Sequence, residues 1–453
     1  MNSGTDKPGK PVICFTAFCT KNTIFVQLAS LMILVGIDNR NRPSALKKTI
    51  NTSSTPLYPA GIAWLGLGVL YLGLMSMGAM FHLIPPILPR VIDDLGLSHG
   101  QAGMLMALFA LPGIFLSLGS GWLVDRFGAR IVGALGIMLM GGATVALSRG
   151  DGYSMILLAR LFTGVGAVIG VVAMQRMVTR LFQGRPLGLP TGISGSAVPL
   201  GIIVIYNAAG PLAESLGWRA VPLRAGLVCI AVSVVFFLAG RLLFNRQSDD
   251  QATRSVMKEI QRPDGMKVIW IAGLIWFFIN GAMTAFLTFA PDHYLEMGFG
   301  LKERGLFTSI PMWCSASLGP IIGLLADRFG GKPAFLAAGM GLLTLSLTMV
   351  AFNGASPLVL GLGLGAAMAL VVTPLLSMPG ELLPPSHHGR GFGILSTCAN
   401  GGIFIVPPIA GLVRDGSGGY FWPFVMTAGL AMAGVFVAGL LHRQIHCSEI
   451  SGN

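Results

Sequence analysis

Gly121-Trp122-Leu123-Val124-Asp125-Arg126-Phe127-Gly128-Ala129-Arg130 returns 202 residues later as Gly323-Leu324-Leu325-Ala326-Asp327-Arg328-Phe329-Gly330-Gly331-Lys332. An interval of nearly half the 453-residue chain marks one unit written twice. Other points agree. Gly78-Ala79-Met80 matches Gly281-Ala282-Met283, Gly96 matches Gly298, Gly103 matches Gly305, and Gly210-Pro211-Leu212-Ala213 echoes Pro407-Pro408-Ile409-Ala410.

Each copy of the motif closes an apolar stretch. Hydrophobic residues make up 53% of the chain and charged residues 11%, with a mean hydropathy of +0.74. A soluble chain carries about 25% charged residues, so this is a polytopic membrane protein. Twelve apolar stretches are long enough to cross a bilayer as helices: near 60–85, 102–123, 131–149, 154–180, 188–210, 220–240, 267–290, 305–326, 334–352, 356–378, 391–413 and 420–441. Backbone groups in lipid must pair within the segment, and these runs are too long for barrel strands. The expected fold class is all-α integral membrane, with twelve transmembrane helices in two pseudo-symmetric six-helix bundles.

The bundles fall at 58–240 and 267–441, joined by a polar, basic linker at 241–266 and followed by a tail at 442–453. Residues 1–57 stand outside the repeat. Their apolar run, Ile24 to Ile37, is short for a span. It fits a signal-like or interfacial segment, an extra span, or sequence upstream of a start at Met32. The net charge of +12 is spread over loops rather than gathered on one soluble face, which argues against nucleic acid. Arg126, Arg130, Arg176, Arg180, Arg328, Lys332 and the basic linker fall together when both ends of the twelve-helix core are cytoplasmic, as the positive-inside tendency requires. The six cysteines have neither a CxxC pair nor a metal-ligand spacing with histidine, so neither a metal nor a cofactor is expected.

Gly-x-x-x-Asp-Arg-x-Gly-x-basic at the ends of the second and eighth spans resembles the loop signature of the major facilitator superfamily. The resemblance extends over about residues 58–441. Arg160-Leu161-Phe162-Thr163-Gly164-Val165-Gly166-Ala167 is similar to that superfamily's Arg-x-x-x-Gly-x-Gly-Ala pattern. Gly121 and Asp125 share a helix face, where a bare glycine admits a neighbouring helix and the carboxylate can reach a helix N-terminus or an arginine. The resemblance implies that Gly121, Asp125, Arg126, Gly128 and Arg130, with Gly323, Asp327, Arg328 and Gly330, form a conformational latch. A topological anchor is the plainer reading. Both copies carry Ala129 or Gly331 where the family usually has a basic residue, which implies a weaker latch.

Arg160 lies about 9 Å inside its span from the outer end, and an arginine at that depth is costly and usually functional. The second half has the apolar Leu362 there. Snorkelling to the interface is the alternative. No carboxylate falls at the middle of a span, whereas His82 offers a titratable group whose ordinary pKa is about 6.5. That set suits an anionic substrate with Arg160 as counter-charge and His82 as a proton carrier; helix packing is the other role for His82. Gln175 stays near the Arg160 face. Trp276, Asn280, Thr284 and Thr288 recur at four-residue steps, either as a substrate wall or as hydrogen-bonding glue between helices.

The resulting expectation is a secondary transporter rather than an enzyme, a functional monomer in the plasma membrane that works by alternating access. It would move a small organic or inorganic anion, monocarboxylate-like, with proton coupling as a symporter or by exchange. An exporter of neutral or hydrophobic compounds is the alternative. A non-transporting sensor or enzyme would need a catalytic cluster or soluble domain that the sequence does not offer.

Overall fold

The computed structural model describes residues 58–183, 185, 188–243, 265–384 and 387–450. The expectations for 1–57 and for nearly all of the linker lie outside the described residues. Twelve long helices follow one another: α1 (Ala60–Phe81), α2 (His99–Phe127), α3 (Ala129–Ser148), α4 (Tyr153–Leu181), α5 (Gly188–Leu216), α6 (Ala220–Leu243), α7 (Gly265–Glu296), α8 (Leu301–Phe329), α9 (Lys332–Ala351), α10 (Pro357–Leu382), α11 (His388–Ser417) and α12 (Phe421–Ile450). Each contains a stretch long and apolar enough to cross a membrane. A single 3-10 turn (Pro85–Ile87) and a short helix (Leu88–Leu95) stand between α1 and α2.

Several helices overrun the spans expected from hydropathy. Helix α2 begins at His99 because Ser98 caps it, accepting from the Gln101 amide while the Gln101 side chain accepts from the Ser98 amide. Helix α7 continues past 290 to Glu296. Hydropathy measures the apolar part of a helix, not its capped polar ends.

Packing repeats with the sequence. Helix α1 lies on α5 as α7 lies on α11; α2 on α4 as α8 on α10; α3 on α6 as α9 on α12. Repeated glycines stand at these crossings. A Cβ at Gly78 would sit 2.1 Å from the Val198 carbonyl oxygen, one at Gly201 1.9 Å from that of Met75, and one at Gly402 2.2 Å from that of Phe277. Backbone meets backbone there, as small residues permit in membrane helix pairs.

Two seams join the first six helices to the last six: α2 against α11, and α5 against α8. One duplicated glycine serves both. A Cβ at Gly103 would lie 2.5 Å from the Pro407 carbonyl oxygen, and one at Gly305 2.3 Å from that of Tyr206.

Candidate functional site

One end of the two seams is sealed by a polar cluster built from both halves. The first amides of α2, those of His99 and Gly100, donate to Asp415 at the end of α11, each at 2.9 Å. A helix N-terminus leaves such donors unpaired and favours an anion, so a carboxylate from the other half completes the cap. The His99 ring lies between two acids, with Nδ1 2.9 Å from Asp415 Oδ1 and Nε2 3.3 Å from Asp292 Oδ2. Tyr420 donates to the same Asp292 oxygen, and Arg414 pairs with Glu296 and covers the Tyr420 ring. Burial pushes the Tyr420 hydroxyl up from its ordinary value, and Asp292 beside it adds to this, so the phenol remains a donor.

Proline shapes the next layer. Pro291 in α7 has no N–H, so the carbonyl of Leu287 one turn earlier lacks its helical donor. Tyr206 of α5 fills it with its hydroxyl at 2.7 Å. That hydroxyl has spent its only proton, so at 3.1 Å it accepts from Nδ1–H of His82, a buried residue at the end of α1. Asn207 donates to Ser309 across the α5–α8 seam, and Ser117 meets Ser396 at 3.0 Å across the α2–α11 seam.

The motif end differs. Asp125 pairs with Arg176 of α4, and Lys332 with Glu381 of α10, each within one half. Asp327 is exposed, and among the described residues it forms no ion pair. Contrary to the expectation of a close crossing at Gly121, a Cβ there would meet nothing within 4 Å; at Gly323 it would touch only Thr373 of its own half, at 3.1 Å. Among the described residues, every ion pair bridging the halves involves His99 at the sealed end. Among the described residues, the ion pairs between the halves therefore gather at one end, and those at the motif end stay within a half. Gly128 and Gly330 end α2 and α8 at φ of +84° and +65°, which accounts for glycine there by backbone geometry. Arg126 and Arg328 lie over the neighbouring rings of Trp122 and Phe329, and Arg130 over Phe237.

Arg160, expected to face a substrate, is enclosed in this conformation. Its side chain is fully buried, with Nε donating to Leu105 O at 2.8 Å, Nη1 to Met80 O at 2.8 Å and Nη2 to Phe81 O at 3.0 Å. Met80 and Phe81 end α1, where carbonyls lack helical partners. The arginine is a cap in trans for α1, seated over Phe109 at 4.9 Å. His82 is likewise buried.

The α7 stripe divides. Thr284 and Thr288 are buried, and Thr288 bonds back to the Thr284 carbonyl, so neither forms an open wall. Trp276 and Asn280 remain partly exposed, and Asn280 donates to Trp276 O. Gln175 is exposed. The sequence reading missed His99 and Asp292. Asp292 looked like a loop residue because hydropathy ended the span at 290, and a single histidine after Ser98 carries no pattern of its own.

The model of the Major Facilitator Superfamily matches residues 70–308 and 296–446. A nitrite extrusion protein of Bacillus subtilis is 25% identical over 371 residues, 82% of this chain and 88% of its own length. A probable sulfoacetate transporter of Cupriavidus necator is 23% identical over 78% of this chain and 88% of its own. The lysosomal dipeptide transporter of Homo sapiens is 23% identical over 85% and 88%. Among solved structures, a bacterial homologue of the human lysosomal transporter Spinster, in an inward-facing and unoccupied conformation, superposes with a TM-score of 0.69 at 14% identity, covering 86% of this chain and 99% of that one. That likeness establishes a shared fold.

Proposed function

Because the chain belongs to the Major Facilitator Superfamily, we propose that it is a monomeric secondary transporter of a small organic or inorganic anion, working by alternating access in the plasma membrane with proton coupling or by exchange. The observation that carries this reading is the asymmetry of the two ends: ion pairs bridge the halves at His99, whereas those at Asp125 and Lys332 stay within one half. A two-state gate needs contacts that one state makes and the other breaks. With the basic motif loops on the cytoplasmic side, the sealed end faces outward and this conformation is inward-open. The motif latch would engage across the halves in the opposite state.

An anionic substrate is supported by the relatives named for nitrite and sulfoacetate. Trp276, Asn280, Ser117 and Ser396, all partly exposed, are neutral groups with N–H or O–H donors suited to an oxyanion. One chain supplies both halves and both seams, so no second copy is needed. The alternative, export of a neutral or hydrophobic compound, is favoured by the complete burial of Arg160, which removes the expected counter-charge.

Proteoliposomes loaded in turn with nitrite, nitrate and sulfoacetate, with and without an imposed pH gradient, distinguish the two. Saturable flux of one of these anions, with KM raised by Asn280→Ala, is the expected result. Movement of hydrophobic dyes with no flux of any of the three anions would refute it.

A further inference from the structure

We propose that His99, held between Asp292 and Asp415, is the site where a proton is taken up when the outer end seals and given back when it opens. This rests on the alternating-access reading and adds a proton to the closing of the outer gate; uptake and release both face the outer side, so the proton sets the pH dependence of the gate.

Both ring nitrogens face carboxylate oxygens, at 2.9 and 3.3 Å. A carboxylate only accepts, and neutral imidazole has a single N–H. The two bonds together therefore require one additional proton, carried by the ring or by one of the acids it touches.

The surrounding charges favour keeping that proton. Asp415 and Arg414 reach His99 from α11, Asp292 from α7, and Tyr420 from the turn before α12; Glu296 pairs with Arg414, and the charge of Arg304 on α8 acts on Asp292. The His99, Asp292 and Asp415 side chains are only 18%, 12% and 28% exposed. With the proton, His99, Arg414, Arg304, Asp292, Asp415 and Glu296 sum to zero. Without it, the cluster carries a net negative charge in a poorly solvated space, and acids so placed retain a proton between them and the ring.

The site is composite. The imidazole comes from the first half and both acids from the second, so it exists only while the halves meet at this end. Opening removes both acceptors, leaves the imidazole in water at its ordinary value of about 6.5, and lets the proton pass to bulk solvent. Sealing takes up one proton, and acid conditions favour the sealed state by mass action. His82 lacks these features, because its partner is a tyrosine hydroxyl and no carboxylate touches it in the hydrogen-bond network.

The test reads the gate itself and needs no substrate. Spin labels replace Asp151 and Lys302, two exposed residues on opposite halves at this end, in the full-length chain freed of native cysteines and held in lipid nanodiscs. Double electron–electron resonance then measures the two distance populations from pH 5.5 to 8.5. The ratio of sealed to open should fall with rising pH, by up to tenfold per unit where His99 titrates. His99→Gln should abolish the slope, and Asp292→Asn should flatten it while the label distances still report a folded bundle. A slope that survives His99→Gln, or a ratio that never responds to pH in the parent protein, would overturn the proposal. A pH-sensitive gate in a protein that moves none of the tested anions would remove the anion reading and leave the gate standing; anion flux with a pH-insensitive gate would do the reverse.

Discussion

Gly411 in α11 lies at the tightest crossing of the sealed seam, where a Cβ would be 2.1 Å from the His99 carbonyl oxygen and 2.5 Å from its carbonyl carbon. Ordinary non-bonded contact is about 3.5 Å, so in Gly411→Ala helix α11 must withdraw from α2 by about 1 Å. The obstruction is backbone, which cannot rotate aside. The same withdrawal stretches the 2.9 Å bonds from the His99 and Gly100 amides to Asp415 beyond useful range. Hydrogen bonds to a charged group are worth about 1.5–3 kcal/mol each, and losing two costs the sealed state at least ~3 kcal/mol. That is about a hundredfold in the ratio of sealed to open. The open state has no such crossing, so the protein should remain folded. The spin-label pair at Asp151 and Lys302 should report mainly the longer distance, while the melting temperature in detergent changes little. Gly201→Ala makes the contrast: its Cβ would lie 1.9 Å from Met75 O in a crossing within one half, where no second state relieves the clash, so thermal stability should drop. An unchanged sealed population in Gly411→Ala would refute the reasoning.

Arg160→Ala removes the donors for three buried carbonyls, each costing about 1–3 kcal/mol when left unpaired, so the expected loss is in folded yield and melting temperature, with Arg160→Lys in between. A normal melting temperature with abolished uptake would return Arg160 to substrate recognition. His82→Gln keeps a donor toward Tyr206 and should leave the pH profile of transport in place, whereas His99→Gln should lose it; measuring both profiles separates the two histidines. For Asp125→Asn, the carboxylate is 62% exposed and its pair with Arg176 should contribute under about 1 kcal/mol to stability. The melting temperature should hold while initial transport rates fall.

Composition and the duplicated motif were enough to establish twelve apolar helices, six and six. Helix formation in lipid is forced by backbone hydrogen bonding, whatever the neighbours. The repeat foretold that Gly103 and Gly305 occupy matching places, and both stand in the seams between halves. Tertiary structure decided the roles of the polar residues. Arg160 resembles a substrate ligand in sequence because only its depth can be read there; three carbonyls from two other helices turn it into a cap. Thr284 and Thr288 share a stripe with Asn280, but packing buries them. His99, Asp292 and Asp415 lie 193 and 316 residues apart along the chain and follow no common period. They meet because α2 docks on α11 beside the end of α7. Local patterns govern helices, whereas a gate is made of residues that only docking brings within hydrogen-bond reach.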